Sequence, residues 1–295
     1  MGRFFKAFFT TFLVIILLFV GSIGFFVVKN HIENPQDFFS EVSNGDKNVS
    51  FLMLGVDNLD TSTENSSRSD TIMVVNMNLD TGKVDLISVP RDTYASIEGY
   101  KKQKINHSYN YGGPELTLNS VNNLLGTNIE YYVTVSYKFV GDIVDIIGGV
   151  DVDVPQDMVY KDEWADPPLD IQLAKGPQTL NGNSAMQFLR YRGYANADLG
   201  RVQAQQQFVS SFLDKLKSPA SILKAPMLLR SYDKNTLTNL PFSQVVKIGL
   251  NLRKLSKENI STQTLPGSPS YRNGVSYFFL DEGSANSMLK EIGLK

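Results

Sequence analysis

Ser50-Phe51-Leu52-Met53-Leu54-Gly55-Val56, then Thr71-Ile72-Met73-Val74-Val75-Asn76-Met77-Asn78-Leu79, then Lys83-Val84-Asp85-Leu86-Ile87-Ser88-Val89 decide the fold class. Each is a short, mostly apolar run bounded by turn-forming residues, the pattern of a strand buried in a sheet. Asp80-Thr81-Gly82 is a turn signal, so the second and third runs pair as an antiparallel hairpin. Leu59 to Ser67 is polar and reads as a loop. Asp57 lies just past the first strand and Asp70 just before the second. If these strands are antiparallel neighbours, both carboxylates reach one rim. Two carboxylates beside donor phosphates suit Mg²⁺, with Mn²⁺ as a substitute. Spacing alone favours two ordinary strand-end and turn aspartates.

Moving toward the C-terminus, Pro90-Arg91-Asp92-Thr93-Tyr94 closes the third strand. Pro stops the ladder, and Arg91 arrives at a strand end, where open α/β sheets bind ligands. Asp92 suits a salt-bridge partner that orients Arg91. Lys104, Asn106 and Tyr109 follow and offer donors to an anion or sugar. His107 reads as a hydrogen-bonding residue at a loop or helix start. Pro114 to Leu125 reads as a helix ended by Gly126, and Glu130 to Val135 as a strand. Ser136 opens a helix with Phe139, Val140, Ile143, Val144 and Ile147 on one face. Gly148-Gly149 ends it, and Val150 to Val154 is another strand. This alternation predicts an α/β class with helices packed on a mixed sheet.

Trp164 to Pro168 reads as a loop, and a helix from Asn183 carries Arg190 and Arg192 near its C-terminal end. A longer helix runs from Arg201 to about Lys217, with Val202, Val209, Phe212, Leu213 and Leu216 as its buried stripe. Gln205 and Gln206 face inward near its start, where anions are favoured. Further helical stretches are expected at Ala220 to Leu229 and Phe242 to Leu255. A strand pair is expected from Thr262 to Leu265 and Val275 to Leu280, flanking Pro266-Gly267.

Arginine is scarce here, nine residues against nineteen lysines, yet Arg190, Arg192 and Arg201 fall within twelve positions. Arg68 and Arg91 lie in two earlier segments. A guanidinium presents a planar fork that fits phosphate oxygens in a bidentate way. A lone Arg is most simply a solvated surface charge. Five of them, set among acidic residues and glycines, point to an anion pocket.

At the other end, Ala7 to Val28 is 22 uncharged, apolar residues, long enough to cross a bilayer as a helix. Arg3 and Lys6 precede it, so the N-terminus is expected inside the cell and the remainder outside. The run exceeds the apolar core of a cleaved signal peptide, and no small-residue cleavage site follows. The expected organisation is a cytoplasmic tip and membrane anchor over 1–28 and a stalk over 29–48. A folded domain over 49–295 follows, with its motifs in 49–216 and a C-terminal portion in 217–295.

Composition narrows the chemistry. The 295 residues contain no cysteine, so thiolate metal sites, disulfides and cysteine nucleophiles are excluded. His31 and His107 are the only histidines, too few for a His-rich zinc site. Every acidic residue follows position 29, so the chain beyond Lys29 carries 25 basic against 30 acidic residues, a net of −5. An acidic domain with one Arg cluster argues against nucleic acid as partner, which favours an extended basic face. No Walker phosphate loop and no dinucleotide glycine fingerprint is present.

In order and spacing, these segments resemble the LytR-CpsA-Psr family of membrane-anchored cell-envelope proteins. The matching pieces are Leu54-Gly55-Val56-Asp57, Arg68-Ser69-Asp70-Thr71, Val89-Pro90-Arg91-Asp92, and Lys104-Ile105-Asn106 with Tyr109 and Gly112-Gly113. The last runs from Arg190-Tyr191-Arg192 through Asp198-Leu199-Gly200-Arg201 to Gln205-Gln206. Gln203-Ala204 departs from the pattern, where members often carry further Arg. The resemblance implies an α-β-α layered domain outside a Gram-positive-type membrane. It implies transfer of an anionic glycopolymer, of wall teichoic acid or capsular polysaccharide type, from a polyprenyl-pyrophosphate carrier to peptidoglycan through a phosphodiester. Asp57 and Asp70 would then hold Mg²⁺. Arg68, Arg91, Arg190, Arg192, Arg201 and Gln205 would bind the pyrophosphate, with Asp198 orienting an Arg. Arg91, Arg192, Asp198 and Arg201 would carry catalysis, with Asp92 and Asp198 as candidate bases. Lys104, Asn106 and Tyr109 would touch substrate. Two other functions use the same residues: a hydrolase with water as acceptor, and a non-catalytic regulator that binds the lipid or glycopolymer.

Overall fold

The computed structural model describes residues 40, 42–43, 47–56, 69, 71–163, 169–191, 193–194, 198–216, 218, 220–221, 224–251, 254 and 257–295, with backbone alone at some helical positions, among them 198–202, 205 and 206. The stretches expected to form the membrane anchor and most of the stalk lie outside the described residues, as does the loop Trp164 to Pro168. Among the described residues no helix is long and apolar enough to cross a membrane.

The chain divides into two compact units. The sheet unit comprises Asp46–Ser136, Thr236–Pro241 and Arg253–Lys295. Its first elements are β1 (Asn48–Val56), β2 (Thr71–Asn78), β3 (Lys83–Val89), β4 (Tyr94–Ala95), β5 (Gln103–Lys104), α1 (His107–Leu125) and β6 (Tyr131–Ser136). The helical unit contains α2 (Tyr137–Ile147), β7 (Val150–Val154), β8 (Met158–Asp162), β9 (Leu169–Leu173), β10 (Gly176–Leu180), α3 (Gly182–Arg190), α4 (Asp198–Leu216), α5 (Ala225–Asn235) and α6 (Phe242–Leu250). The sheet unit regains the chain at β11 (Thr236–Thr238) and ends with β12 (Ile260–Thr264), β13 (Gly267–Arg272), β14 (Val275–Leu280) and α7 (Glu282–Glu291).

Six strands form the main sheet in the order β11-β6-β1-β2-β3-β12. It is mixed: β1–β2, β2–β3 and β6–β11 are antiparallel, while β1–β6 and β3–β12 are parallel. The near-continuous apolar runs have their reason in burial on both faces. Leu52, Leu54, Ile72 and Val74 pack in one core with Val121 and Leu125 of α1 and Leu289 of α7. Phe51, Met53, Met73 and Val75 alternate with them and are equally buried. The register sets Gly55 opposite Thr71, so β1 ends and β2 begins at one rim, the antiparallel arrangement that the sequence left as a condition.

Several boundaries differ from the sequence reading. α1 starts at His107 rather than Pro114, because a first turn is merged with the longer helix across a kink where Gly112 and Gly113 leave helical geometry. Asn181, not a residue after it, caps α3, its Oδ1 accepting from Ser184 N–H at 2.9 Å. α4 begins at Asp198, α5 is displaced to Ala225–Asn235, and α6 stops at Leu250. Phe212 and Leu216 of the expected α4 stripe are buried, joined by Ala204 and Phe208. The expected pairing of Thr262–Leu265 with Val275–Leu280 is wrong. β12 joins the main sheet parallel to β3, and β14 pairs with β13 in a separate hairpin. Its turn is Asn273-Gly274, with φ of 52° and 77°. Asn-Gly is the strongest short hairpin signal, and both residues take the positive φ that such a turn demands.

Candidate functional site

In the sheet unit, the segment after β3 is folded back by its own hydrogen bonds. Thr93 N–H and Oγ1 both donate to Pro90 O, at 2.9 and 2.6 Å. Ile105 N–H then donates to Thr93 O at 2.9 Å, and Asn106 N–H to Arg91 O at 3.2 Å. These contacts join the strand end to the start of α1. They open a cleft of about 460 Å³ lined by Arg91, Asp92, Lys104 and Asn106, and also by Gln103 and His107. Val275 and Tyr277 of β14 complete the lining. β14 is held there by Phe278 N–H, which donates to Asp92 O at 2.9 Å.

Inside the cleft, Lys104 Nζ lies 2.9 Å from Asp92 Oδ1. Asp92 therefore engages Lys104, a partner the sequence reading did not give it. Asn106 is the N-cap residue of α1, yet its side chain makes no capping bond. Its Oδ1 is buried without a hydrogen-bond partner. A buried acceptor left unpaired is costly and marks a place for a donor-bearing ligand or water. His107 Nδ1 lies 2.9 Å from Gln103 Oε1, the hydrogen-bonding role expected of it.

Tyr109 takes a different place. It is 1% exposed and belongs to the core between α1 and the sheet, not to the cleft lining. Burial pushes its phenol up to about 12; the neighbouring Thr134 hydroxyl opposes the shift and Tyr132 adds to it. Neither Tyr109 Oη nor Thr134 Oγ1 completes a hydrogen bond of ordinary geometry. Tyr109 stays neutral at physiological pH and is not a base.

The helical unit builds the second arginine segment. Arg190 is the last residue of α3, and Tyr191 turns the chain into extended geometry. Tyr191 and Tyr194 are buried and meet edge to face, with centroids 5.1 Å apart. Tyr191 Oη donates to Gly193 O at 3.1 Å, and Gln156 Nε2 donates to the same carbonyl at 3.0 Å. Two tyrosines and a glutamine thus fasten the chain on either side of position 192. Gln156, Tyr191, Gly193 and Tyr194 had no part in the sequence-derived site, although the aromatic spacing around Arg192 was visible. Arg192 itself, with Asp57, Arg68 and Asp70, lies outside the described residues. Asp198, Arg201 and Gln205 fall on the first two turns of α4, where the backbone alone is described.

The LytR_cpsA_psr family model matches residues 27–293. The chain belongs to the LytR_cpsA_psr family. All five motifs quoted above lie within the matched LytR_cpsA_psr span. A Bacillus subtilis relative named polyisoprenyl-teichoic acid--peptidoglycan teichoic acid transferase TagU is 31% identical over 268 residues, covering 90% of this chain and 84% of TagU. Regulatory protein MsrR of Staphylococcus aureus is also 31% identical over 268 residues, covering 88% of this chain and 78% of its own. Among solved structures, TagT bound to LIIa-WTA superposes with a TM-score of 0.60 at 27% identity, covering 84% of this chain and 90% of TagT. The mixed central sheet is the LytR_cpsA_psr fold.

The arrangement supports anion chemistry without a covalent nucleophile. Phosphoryl transfer is mostly positioning and charge stabilisation, which cations on rigid strand ends and helix starts can supply. Among the described residues no three Asp, Glu or His side chains converge as a metal cage. Asp57 and Asp70, the aspartates nominated for metal, follow β1 and precede β2 in sequence and lie outside the described residues; carboxylates are the ligand type that a hard divalent cation takes.

Proposed function

We propose that this protein attaches an anionic glycopolymer, of wall teichoic acid or capsular polysaccharide type, to peptidoglycan through a phosphodiester, drawing it from a polyprenyl-pyrophosphate carrier. The observation that carries this reading is the alignment of nine-tenths of the chain with TagU, whose name states a teichoic acid transfer to peptidoglycan. The TagT complex with LIIa-WTA supports a glycopolymer as ligand. In this reading the N-terminal segment anchors the protein in the cell membrane as a single pass, with the catalytic domain outside.

The residues act as follows. Arg68, Arg91, Arg190, Arg192 and Arg201 bind the pyrophosphate, and Gln205 adds a donor. Arg91, Arg192 and Arg201 stabilise charge as the acceptor hydroxyl gives its proton to a carboxylate, with Asp92 and Asp198 the candidates, its oxygen bonds to phosphorus, and the bond to the departing carrier phosphate breaks. Asp198 orients an arginine. Lys104 and Asn106 contact substrate from the cleft. Asp57 and Asp70 hold Mg²⁺, which when bound adds positive charge at the pyrophosphate oxygens.

MsrR, equally similar and named a regulatory protein, favours a second reading in which the chain binds the glycopolymer carrier without turnover. Acceptor dependence separates the readings. The full-length protein is incubated with a radiolabelled polyprenyl-pyrophosphate oligosaccharide, with and without peptidoglycan fragments. Transfer predicts that donor disappears only when acceptor is present. Donor loss without acceptor would mean hydrolysis, and intact donor in both arms would favour the regulator.

A further inference from the structure

The sheet-unit cleft carries more than its cations. β13 and β14 are exposed or half-exposed along their length. Strand alternation puts Val275, Tyr277 and Phe279 on one face of the hairpin, with Arg272 opposite Val275. That face meets Tyr94 of β4: Tyr94 and Tyr277 cross edge to face at 5.0 Å, and Tyr94 and Phe279 tilt at 5.5 Å. Arg272 lies 4.8 Å over the Tyr94 ring. A second aromatic group adjoins the lining. Tyr100 and Tyr111 stack at 4.1 Å, and Tyr111 Oη donates to Gln103 Oε1 at 3.0 Å. Both remain exposed, at 49% and 37%.

The cleft therefore makes three demands at once. Arg91 and Lys104, the latter paired with Asp92, favour an acceptor or an anion. Asn106 Oδ1, nine-tenths buried and unpartnered, wants a donor, which a fully ionised phosphate does not offer. Tyr277, half-buried, adds an aromatic ring to the same lining. A pyranose answers all three, with hydroxyl or acetamido groups that donate and accept and a C–H face that lies on an aromatic ring. We propose that this cleft is a sugar subsite, in which a pyranose ring rests on Tyr277 and donates a hydrogen bond to Asn106 Oδ1. The proposal rests on the glycopolymer transfer proposed above and names the part of the chain that grips a sugar. Two sources share the chemistry, the peptidoglycan acceptor and the first sugars of the carrier-linked donor.

Direct binding tests it, using full-length protein in detergent micelles and saturation-transfer NMR or calorimetry. The probes are tetra-N-acetylchitotetraose, for the acceptor glycan, and N-acetylglucosamine 1-phosphate, for the donor end. Tyr277→Ala and Tyr277→Leu should each weaken the bound probe roughly two- to tenfold, the range expected of one aromatic contact. Tyr277→Phe should stay within about twofold, because the ring face is kept. Tyr271→Ala, on the other face of the hairpin and 77% exposed, should change nothing. Asn106→Leu should also weaken binding, and unchanged melting temperatures would show that these variants fold. Response of the uncharged probe assigns the subsite to the acceptor. Response of the phosphorylated probe alone, lost in Arg91→Ala, assigns it to the donor. Binding of neither probe, or binding untouched by Tyr277→Ala and Tyr277→Leu, overturns the proposal. Sugar binding that persists in a protein with no transfer activity would leave the subsite standing and remove the transferase. Transfer without the Tyr277 effect would do the reverse.

Discussion

Gly193 sits where a Cβ would come 2.5 Å from Tyr191 Oη and 2.8 Å from Cζ. Alanine there must displace the Tyr191 ring that fastens the segment in which Arg192 is proposed to act. A shift of an ångström in a positioning group can cost as much as ~10²-fold in rate. Gly193→Ala should therefore slow transfer ten- to a hundredfold in a steady-state assay while the far-UV spectrum stays native; an unchanged rate would show that the clamp does not set the arginine. Tyr109 gives a prediction in pH. Its folded pKa of about 12 exceeds the ordinary phenol value of 10.0, so the native state favours the neutral form. That stability is fully present below about pH 10 and is lost as pH rises toward about 12. Tyr109→Phe should move the alkaline unfolding midpoint upward. Because its hydroxyl completes no ordinary hydrogen bond, the substitution should cost under about 1 kcal/mol at pH 7 by urea denaturation. A larger loss would mean that the hydroxyl is bonded after all.

At the scale of elements, two glycines separate backbone strain from crowding. Gly274, at φ 77° in the β13–β14 turn, has open space around the missing Cβ. Gly149, at φ 86° after α2, would put a Cβ 2.6 Å from Thr179 Cγ2 and 3.0 Å from Leu180 O. Gly274→Ala should cost about 1 kcal/mol, the penalty of the left-handed region. Gly149→Ala should cost about 2–4 kcal/mol, since overpacking adds to it. Equal losses in chemical denaturation would contradict the packing at β10. The elements also show what sequence could carry. The β1–β2–β3 meander was legible because apolar runs and the Asp80-Thr81-Gly82 turn are local. The end of α2 was legible in Gly148-Gly149 for the same reason. The pairing of β12 has no local signal, because its parallel partner β3 lies far away in sequence, whereas Asn273-Gly274 is the local signal that separates β13 from β14.

For the molecule as a whole, the arginine motifs were readable because each is a short string at a strand end or helix start. The aromatic lining of the cleft was not. Tyr277 joins Arg91 in the cleft lining because β14 docks through the Thr93–Phe278 bridge, a tertiary contact with no local trace. Tyr109 reads as a polar donor in sequence, but the register of α1 over the sheet turns it into the core. The proposed anchor belongs to this scale too. Full-length protein should sediment with membranes through alkaline washing, and a chain starting at Asn30 should stay in the supernatant; a soluble full-length protein would remove the anchor. The most direct test of the central claim is mass spectrometry of a reaction holding full-length protein, polyprenyl-pyrophosphate oligosaccharide, peptidoglycan fragments and Mg²⁺. A phosphodiester-linked adduct should form, fall about 10²–10³-fold in Arg192→Ala, as for loss of one transition-state donor, and vanish in Asp70→Ala. Free sugar phosphate without adduct, or an adduct undiminished in both variants, would contradict it.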